Sequence, residues 1–228
     1  MDLPHSIPSH SEKRIGLRFD LHHLEEKLMI SPLKKLMFKY FEFRIFKRLL
    51  YSLNMNLHGK QILEGGCGAG YGIEVMSEHF QPSEYIAFDL NKGMVARSQA
   101  KVKSKGLPVN VFQGDITAIH LPAEKFDAVF IFTVLHHEKN WRVALSEINR
   151  VLKPNGLLLI NEINNRSLNW FEQYAKVYHP KSARFTWKTF RNELAKAGFS
   201  ILREYLFLQD LGFFVGCKIS TKNISDES

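Results

Sequence analysis

The stretch that most restricts what this chain can fold into is Ile62-Leu63-Glu64-Gly65-Gly66-Cys67-Gly68-Ala69-Gly70-Tyr71-Gly72, an apolar run that ends in a glycine-rich turn. Glycines there let the backbone turn sharply between a strand and a helix and approach a ligand with no Cβ in the way. Such a turn carries weight only inside a repeating strand–helix pattern, and the downstream residues supply one. Gln61 to Glu64 reads as a strand, followed by a helix through about Phe80. Tyr85 to Asp89 reads as the second strand, Lys92 to Lys105 as the second helix, and Val109 to Phe112 as the third strand. Phe126 to Phe132 is a fourth, nearly all apolar, as a strand covered on both faces should be. A helix from about Trp141 to Leu152 stops at Pro154-Asn155-Gly156, and Leu157 to Ile160 follows as the fifth strand. Residues 164–185 show no clear periodicity; a helix from Thr186 to Ala197 and strand-like runs from Ser200 to Leu208 and Gly212 to Ile219 close the chain. The alternation predicts an α/β, Rossmann-like doubly wound and mostly parallel sheet, with ligands at the carboxyl ends of its strands.

The chemistry of the turn narrows the ligand. A nicotinamide-type turn needs a small residue three positions after its second glycine, and here that position is Tyr71. A phosphate loop needs Lys-Ser/Thr after the glycines, and none follows. Glu64 stands directly before the glycines, where a carboxylate would repel a pyrophosphate but suit an ammonium and a sulfonium. S-adenosylmethionine (SAM) carries both. Asp89 closes the second strand, where an acid can take both hydroxyls of a ribose. Asp115, after the third strand, could accept from an adenine amino group. Any one of these acids could be a solvated strand end; three at successive strand ends beside the glycines form a constellation.

These residues resemble the class I SAM-dependent methyltransferases, in particular the small-molecule branch of ubiquinone/menaquinone-biosynthesis type. The resemblance runs from about Lys60 to Ile160 and more loosely beyond. Ile62 to Gly70 is similar to the family's first motif, with Glu64 in place of Asp and Gly65 in place of an aliphatic residue. The resemblance implies a cofactor site of Glu64, Gly66, Cys67, Gly68 and Gly70, with Asp89 and Leu90 at the ribose. Met94, Asp115 and Ile116 would lie at the adenine, and Phe132 and His137 would line the pocket. Phe126-Asp127 with Leu135-His136-His137, and Leu152-Lys153-Pro154-Asn155-Gly156, resemble later family segments. It implies a seven-stranded sheet with an antiparallel last strand, SAM as methyl donor and S-adenosyl-L-homocysteine as product.

Methyl transfer needs mainly alignment and exclusion of water, because the cofactor brings the reactive group. His136 is the candidate general base or acceptor-holding group; the alternative is that the His136-His137 pair only packs beside the cofactor. Tyr40, Tyr71, Trp170 and Tyr174 are the candidates for the acceptor site, which in this family varies in the N-terminal arm and in the insertion after the fifth strand. Both are aromatic here, the insertion holding Trp170, Phe171, Tyr174, Tyr178 and Phe185. Residues 1–56 are expected to form a helical arm or lid, 57–220 the catalytic domain and 221–228 a frayed tail. In residues 31–53, opened by Ser31-Pro32, one apolar stripe (Leu33, Leu36, Met37, Tyr40, Phe41) gives way to a second (Phe43, Phe46, Leu50, Leu53). The arm is then either a kinked cap over the cofactor or a basic amphipathic element with one face left for an anionic membrane.

The net charge of +8 fits either an acidic partner, such as nucleic acid, anionic lipid or a phosphorylated metabolite, or simply a solvated basic surface. Two distant cysteines, Cys67 and Cys217, argue against disulfides and a metal centre and fit a reducing cytoplasm. The polar start and the lack of a long apolar run predict neither a signal peptide nor a membrane span. The expected activity is methylation of a small acceptor, lipophilic or lipid-linked. A nucleic-acid or protein methyltransferase is the rival, lowered by Thr133-Val134-Leu135-His136 where base-amino methylation would need Asn/Asp-Pro-Pro-Tyr/Phe. A non-catalytic SAM-binding adaptor and a nicotinamide oxidoreductase are the alternatives of other classes.

Overall fold

A computed structural model describes residues 36–175 and 179–220. The expectations for residues 1–35, including Ser31-Pro32 and Leu33, for Tyr178 and for the tail 221–228 lie outside the described residues. Seven strands form one sheet: β1 (Gln61–Gly65), β2 (Glu84–Asp89), β3 (Val109–Gln113), β4 (Phe126–Phe132), β5 (Leu152–Ile163), β6 (Phe199–Phe207) and β7 (Leu211–Lys218). Their order is β3-β2-β1-β4-β5-β7-β6. Strands β1 to β5 run parallel to one another, and β7 lies antiparallel between β5 and β6. The strand order reverses between β1 and β4, which is where a ligand cleft opens in a doubly wound sheet.

Among the described residues, six α-helices accompany the strands: α1 (Phe43–Ser52), α2 (Tyr71–Phe80), α3 (Lys92–Lys105), α4 (Trp141–Val151), α5 (Asn165–Trp170) and α6 (Trp187–Lys196). Local chemistry marks several ends. The Asn91 side chain accepts from the N–H groups of Gly93 and Met94 to start α3, and Gly106 ends it at φ +62°. The Thr186 hydroxyl caps α6 through the N–H of Thr189. Residue alternation along the strands feeds two cores. Leu63, Val129, Ile131 and Leu158 point to one face, under α4 and α6. Ile62, Ala128, Phe130 and Leu159 point to the other, under α1, α2 and α3.

Three elements differ from expectation. Strand β5 starts at Leu152 rather than Leu157, because Leu152 pairs with Phe126 and the Pro154–Gly156 segment bulges out before pairing resumes at Leu157. Residues 164–185 hold α5, a π-helical turn (Phe171–Ala175) and a 3₁₀ turn (Lys181–Ala183), elements too short for periodicity to reveal. In the arm, a π-helical turn (Phe38–Glu42) leads straight into α1. Its one extra residue rotates everything after it by roughly 100°. That is why the apolar stripe moves. Phe43, Phe46 and Leu50 are buried, and Phe46 packs between Phe132 and Phe213 at 5.6 and 5.4 Å. Leu36, Met37 and Tyr40 remain exposed. Among the described residues, no helix is long and apolar enough to cross a membrane.

Candidate functional site

The first half of the loop from Gly66 to Gly70 is held by β2, and the N–H of Gly70 closes it on the Cys67 carbonyl at 2.9 Å. The N–H groups of Gly66 and Cys67 donate to the Phe88 carbonyl at 2.8 and 3.0 Å, and the N–H of Gly68 donates to the Asp89 carboxylate at 2.8 Å. The second Asp89 oxygen accepts from the N–H of Asn91 at 2.8 Å. The Ser98 hydroxyl of α3 donates to the Gly68 carbonyl at 2.7 Å. Gly66 requires glycine twice over. Its φ is +71°, and a Cβ there would lie 2.3 Å from a Val134 methyl. Gly66→Ala should therefore cost roughly 2–3 kcal/mol from strain and overpacking combined, read as a lower urea midpoint with an unchanged slope.

Beside this loop is a narrow, half-open cleft with an internal volume of about 40 Å³. Glu64, Gly66, Cys67, Gly68, Tyr71 and Phe132 line it, as do Phe38 and Glu42 from the arm and Thr133 after β4. Thr133 sits at φ +55°, an unfavourable conformation for a β-branched residue, and its N–H donates to the Asn161 carbonyl at 2.9 Å. Gly68 lines the cleft, and a Cβ added to it would meet no atom within 4 Å, so the space beside it is open to a ligand.

Two carboxylates, Glu42 and Glu64, stand among the cleft's otherwise uncharged walls. Glu64 is buried, and Tyr85 donates its hydroxyl to Glu64 Oε2 at 2.5 Å. Burial pushes the Glu64 carboxyl up to about 8, against the opposing pull of the Tyr85 bond. Burial also pushes the Cys67 thiol up, which makes it an inert lining group rather than a nucleophile. Glu42 is buried too, and Asn161 Nδ2 donates to its Oε2 at 3.0 Å, tying the arm to the end of β5.

The other expected residues spread around this centre. Met94 and Ile116 are buried, Leu90 is exposed, and Asp115 accepts from both the N–H and the hydroxyl of Thr117 at 2.7 Å. Tyr71 lies under the Lys101 ammonium, 3.5 Å from the ring centroid. Tyr40 lines a separate surface groove with Lys39, Arg44 and Lys47. Trp170 and Tyr174 are exposed, with ring centroids 5.5 Å apart. His136 and His137 form a 3₁₀ turn after β4, His136 buried and His137 exposed. Glu162 organises that turn: its Oε1 accepts from the N–H groups of Val134 and Leu135 at 2.8 and 2.6 Å, and its Oε2 lies 2.7 Å from His136 Nδ1.

Sequence reasoning passed over Phe38, Glu42, Thr133, Glu162 and His179. A buried acid within an aromatic arm was the available signal for Glu42. His179 had none, since it joins His136 and His137 only through the tertiary fold.

The family described as "Methyltransferase domain" matches residues 63–160. A fatty-acid O-methyltransferase of Mycolicibacterium smegmatis is 32% identical over 111 residues, which cover 49% of this chain and 40% of that protein. A demethylmenaquinone methyltransferase of Lactococcus lactis is 30% identical over 156 residues, 68% of this chain and 59% of that one. The chain thus spans about half the length of these relatives. A SAM-dependent methyltransferase from Aquifex aeolicus superposes with a TM-score of 0.67 at 20% identity, covering 86% of this chain and 97% of its own. The cyclase SpnF has a TM-score of 0.63 at 18% identity, over 77% and 80% of the two chains. The likeness to these structures concerns the fold alone.

Proposed function

We propose that this chain is a class I SAM-dependent methyltransferase, acting through the domain at residues 63–160, and that it methylates a small lipophilic or lipid-linked acceptor. The observation that carries the reading is a single cleft bounded by the glycine loop on one side and by the arm residues Phe38 and Glu42 on the other. The donor set fits the cofactor. The cleft walls hold Glu42 and Glu64, and Asp89 holds the loop from behind, which suits a cationic ligand with a ribose and excludes a polyphosphate.

When bound, SAM supplies the methyl group on a sulfonium. The chain's own part is to bind, orient and exclude water. Gly66, Cys67, Gly68 and Gly70 shape the loop, Asp89 and Leu90 are assigned to the ribose, and Met94, Asp115 and Ile116 to the adenine. Phe132 and His137 line the cofactor, while Tyr71 and the exposed Tyr40, Trp170 and Tyr174 are assigned to the acceptor side. Phe38 meets Phe132 edge-on at 4.8 Å, an apolar seal over the cleft. His136, held by Glu162, is assigned to the acceptor end. The names of the relatives support the acceptor class, since they include a fatty-acid O-methyltransferase, a demethylmenaquinone methyltransferase and a phthiotriol/phenolphthiotriol dimycocerosates methyltransferase.

The test uses methyl-labelled SAM and a cell extract, partitioned into organic, aqueous and macromolecular fractions. Label in the organic phase, lost in Asp89→Ala, is the expected result. Label confined to protein or nucleic acid would overturn the acceptor class.

The same arm supports peripheral contact with an anionic membrane. Leu36, Met37 and Tyr40 are exposed beside Lys39, Arg44 and Lys47. Removing the arm would strip Phe43 and Phe46 from the core, so charge reversal is the cleaner probe. Lys39→Glu with Arg44→Glu and Lys47→Glu should lower cosedimentation with anionic vesicles at least tenfold, at about 1 kcal/mol per cation. Raised salt should do the same to the unaltered protein. Binding indifferent to both would remove the membrane from the picture.

A further inference from the structure

We propose that His136, His137 and His179 form a site for one divalent transition-metal ion of the zinc type. Each imidazole offers a ring nitrogen, and these three atoms lie within 4.8 Å of one another. The rings are mutually close, with centroids 4.0, 5.2 and 5.0 Å apart. His136 and His137 come from the turn after β4, and His179 comes from the segment between β5 and α6. The site is therefore assembled by the fold and not by a local motif.

Glu162 is the second argument. It is fully buried, and each of its oxygens has a partner: two backbone N–H groups on Oε1 and the His136 ring on Oε2. A carboxylate so placed accepts a hydrogen bond from Nδ1–H, which leaves the lone pair of His136 on Nε2. A buried carboxylate behind a histidine is the support that metal-bound imidazoles recurrently have, fixing tautomer and ring orientation. Buried Glu162 and buried His136 thus make one rigid ligand arm. His179 is also buried, while His137 is exposed.

The distances allow closure. Zinc–nitrogen bonds of about 2.0–2.1 Å place tetrahedral ligands roughly 3.4 Å apart, so nitrogens that already lie within 4.8 Å of one another need shifts on the order of 1 Å to close on an ion. Three neutral imidazoles leave the fourth position open. The exposed side of His137 puts that position toward solvent, where an anionic oxygen ligand, such as a carboxylate or an ionised hydroxyl, would complete the set. Neutral ligands select a borderline metal over magnesium or calcium, which favour oxygen. The inference shares His136 and His137 with the site assigned to cofactor and acceptor, and its test reads metal binding directly and not methyl transfer.

The experiment titrates the full chain, without an affinity tag, with Co2+ and then Zn2+. The chain has ten histidines, so variants decide the assignment. One equivalent of Co2+ should develop the intense visible absorption of a four-coordinate nitrogen site, and Zn2+ should bleach it. His137→Ala, at an exposed position, should weaken binding at least tenfold while melting as the metal-free parent does. His179→Asn should do likewise, and His120→Ala should titrate as the parent. Absence of the visible band, or parent-like titration by His137→Ala, would overturn the site whatever the outcome of the methylation test.

Discussion

Asp89→Ala is expected to weaken binding of SAM and of S-adenosyl-L-homocysteine by about a hundredfold or more, measured by isothermal titration. The carboxylate does two things at once. It holds the glycine loop through the N–H of Gly68 and the start of α3 through the N–H of Asn91. Hydrogen bonds to a charged group contribute about 1.5–3 kcal/mol each, and alanine removes both together with the acid assigned to the ribose. A net loss of about 3 kcal/mol in binding corresponds to roughly a hundredfold in Kd. The sheet does not depend on this group: Asp89 ends β2, and its neighbours Phe88 and Ala87 pair with β3 and β1 through their backbones. The variant should therefore keep its fold and lose its ligand. Asp89→Asn retains an acceptor for one of the two backbone donors and should fall between. Affinity within threefold of the parent in Asp89→Ala would mean that the loop is held by Phe88 and Ser98 alone, and that the cofactor does not meet this edge.

The sheet was legible because its determinants are local. The apolar run Phe126–Phe132 and the Asn91 cap with Gly106 mark β4 and α3 to the residue. Glycines followed by a helix, and acids at strand ends, belong to the same short range, so Glu64, Gly66, Cys67 and Gly68 could be placed beside one cleft. What the sequence did not disclose depends on distance. Glu42 and Asn161 are 119 residues apart and meet through one hydrogen bond. Nothing in either segment says so. The π-helical turn at Phe38–Glu42 left a trace, the shift of the apolar stripe, but periodicity cannot say whether a stripe moves because the helix kinks or because a second face is wanted. Glu162 sits in an apolar strand, and its role depends on where the β4 turn folds back. His179 lies in a stretch of short turns that has no period to read.

Glu64 carries a large pH effect near neutrality. Burial raises its carboxyl from the ordinary value to about 8, so between those two values the folded chain keeps a proton that the unfolded chain has released. Stability from this group is fully present below the unfolded value, near 4.5, and is lost as pH rises through about 8. The limiting slope is about 1.4 kcal/mol per pH unit. Glu64→Gln keeps an oxygen for the Tyr85 hydroxyl and removes the proton, so its melting temperature should fall less between pH 6 and pH 9 than that of the parent. Tyr85 itself is held well above its ordinary value by burial and stays a donor throughout. Cofactor binding should show the opposite trend. A cationic ligand favours the ionised carboxylate, so below about pH 8 binding must expel the proton, and affinity should rise toward tenfold per pH unit before levelling. The glutamine variant should bind weakly and without that slope. Other groups titrate in the same range, which is why the difference between parent and variant is the quantity to read. Parallel melting curves for the two from pH 6 to pH 9 would show that Glu64 is ionised in the fold, and that the charge in the cleft is permanent and not induced by the ligand.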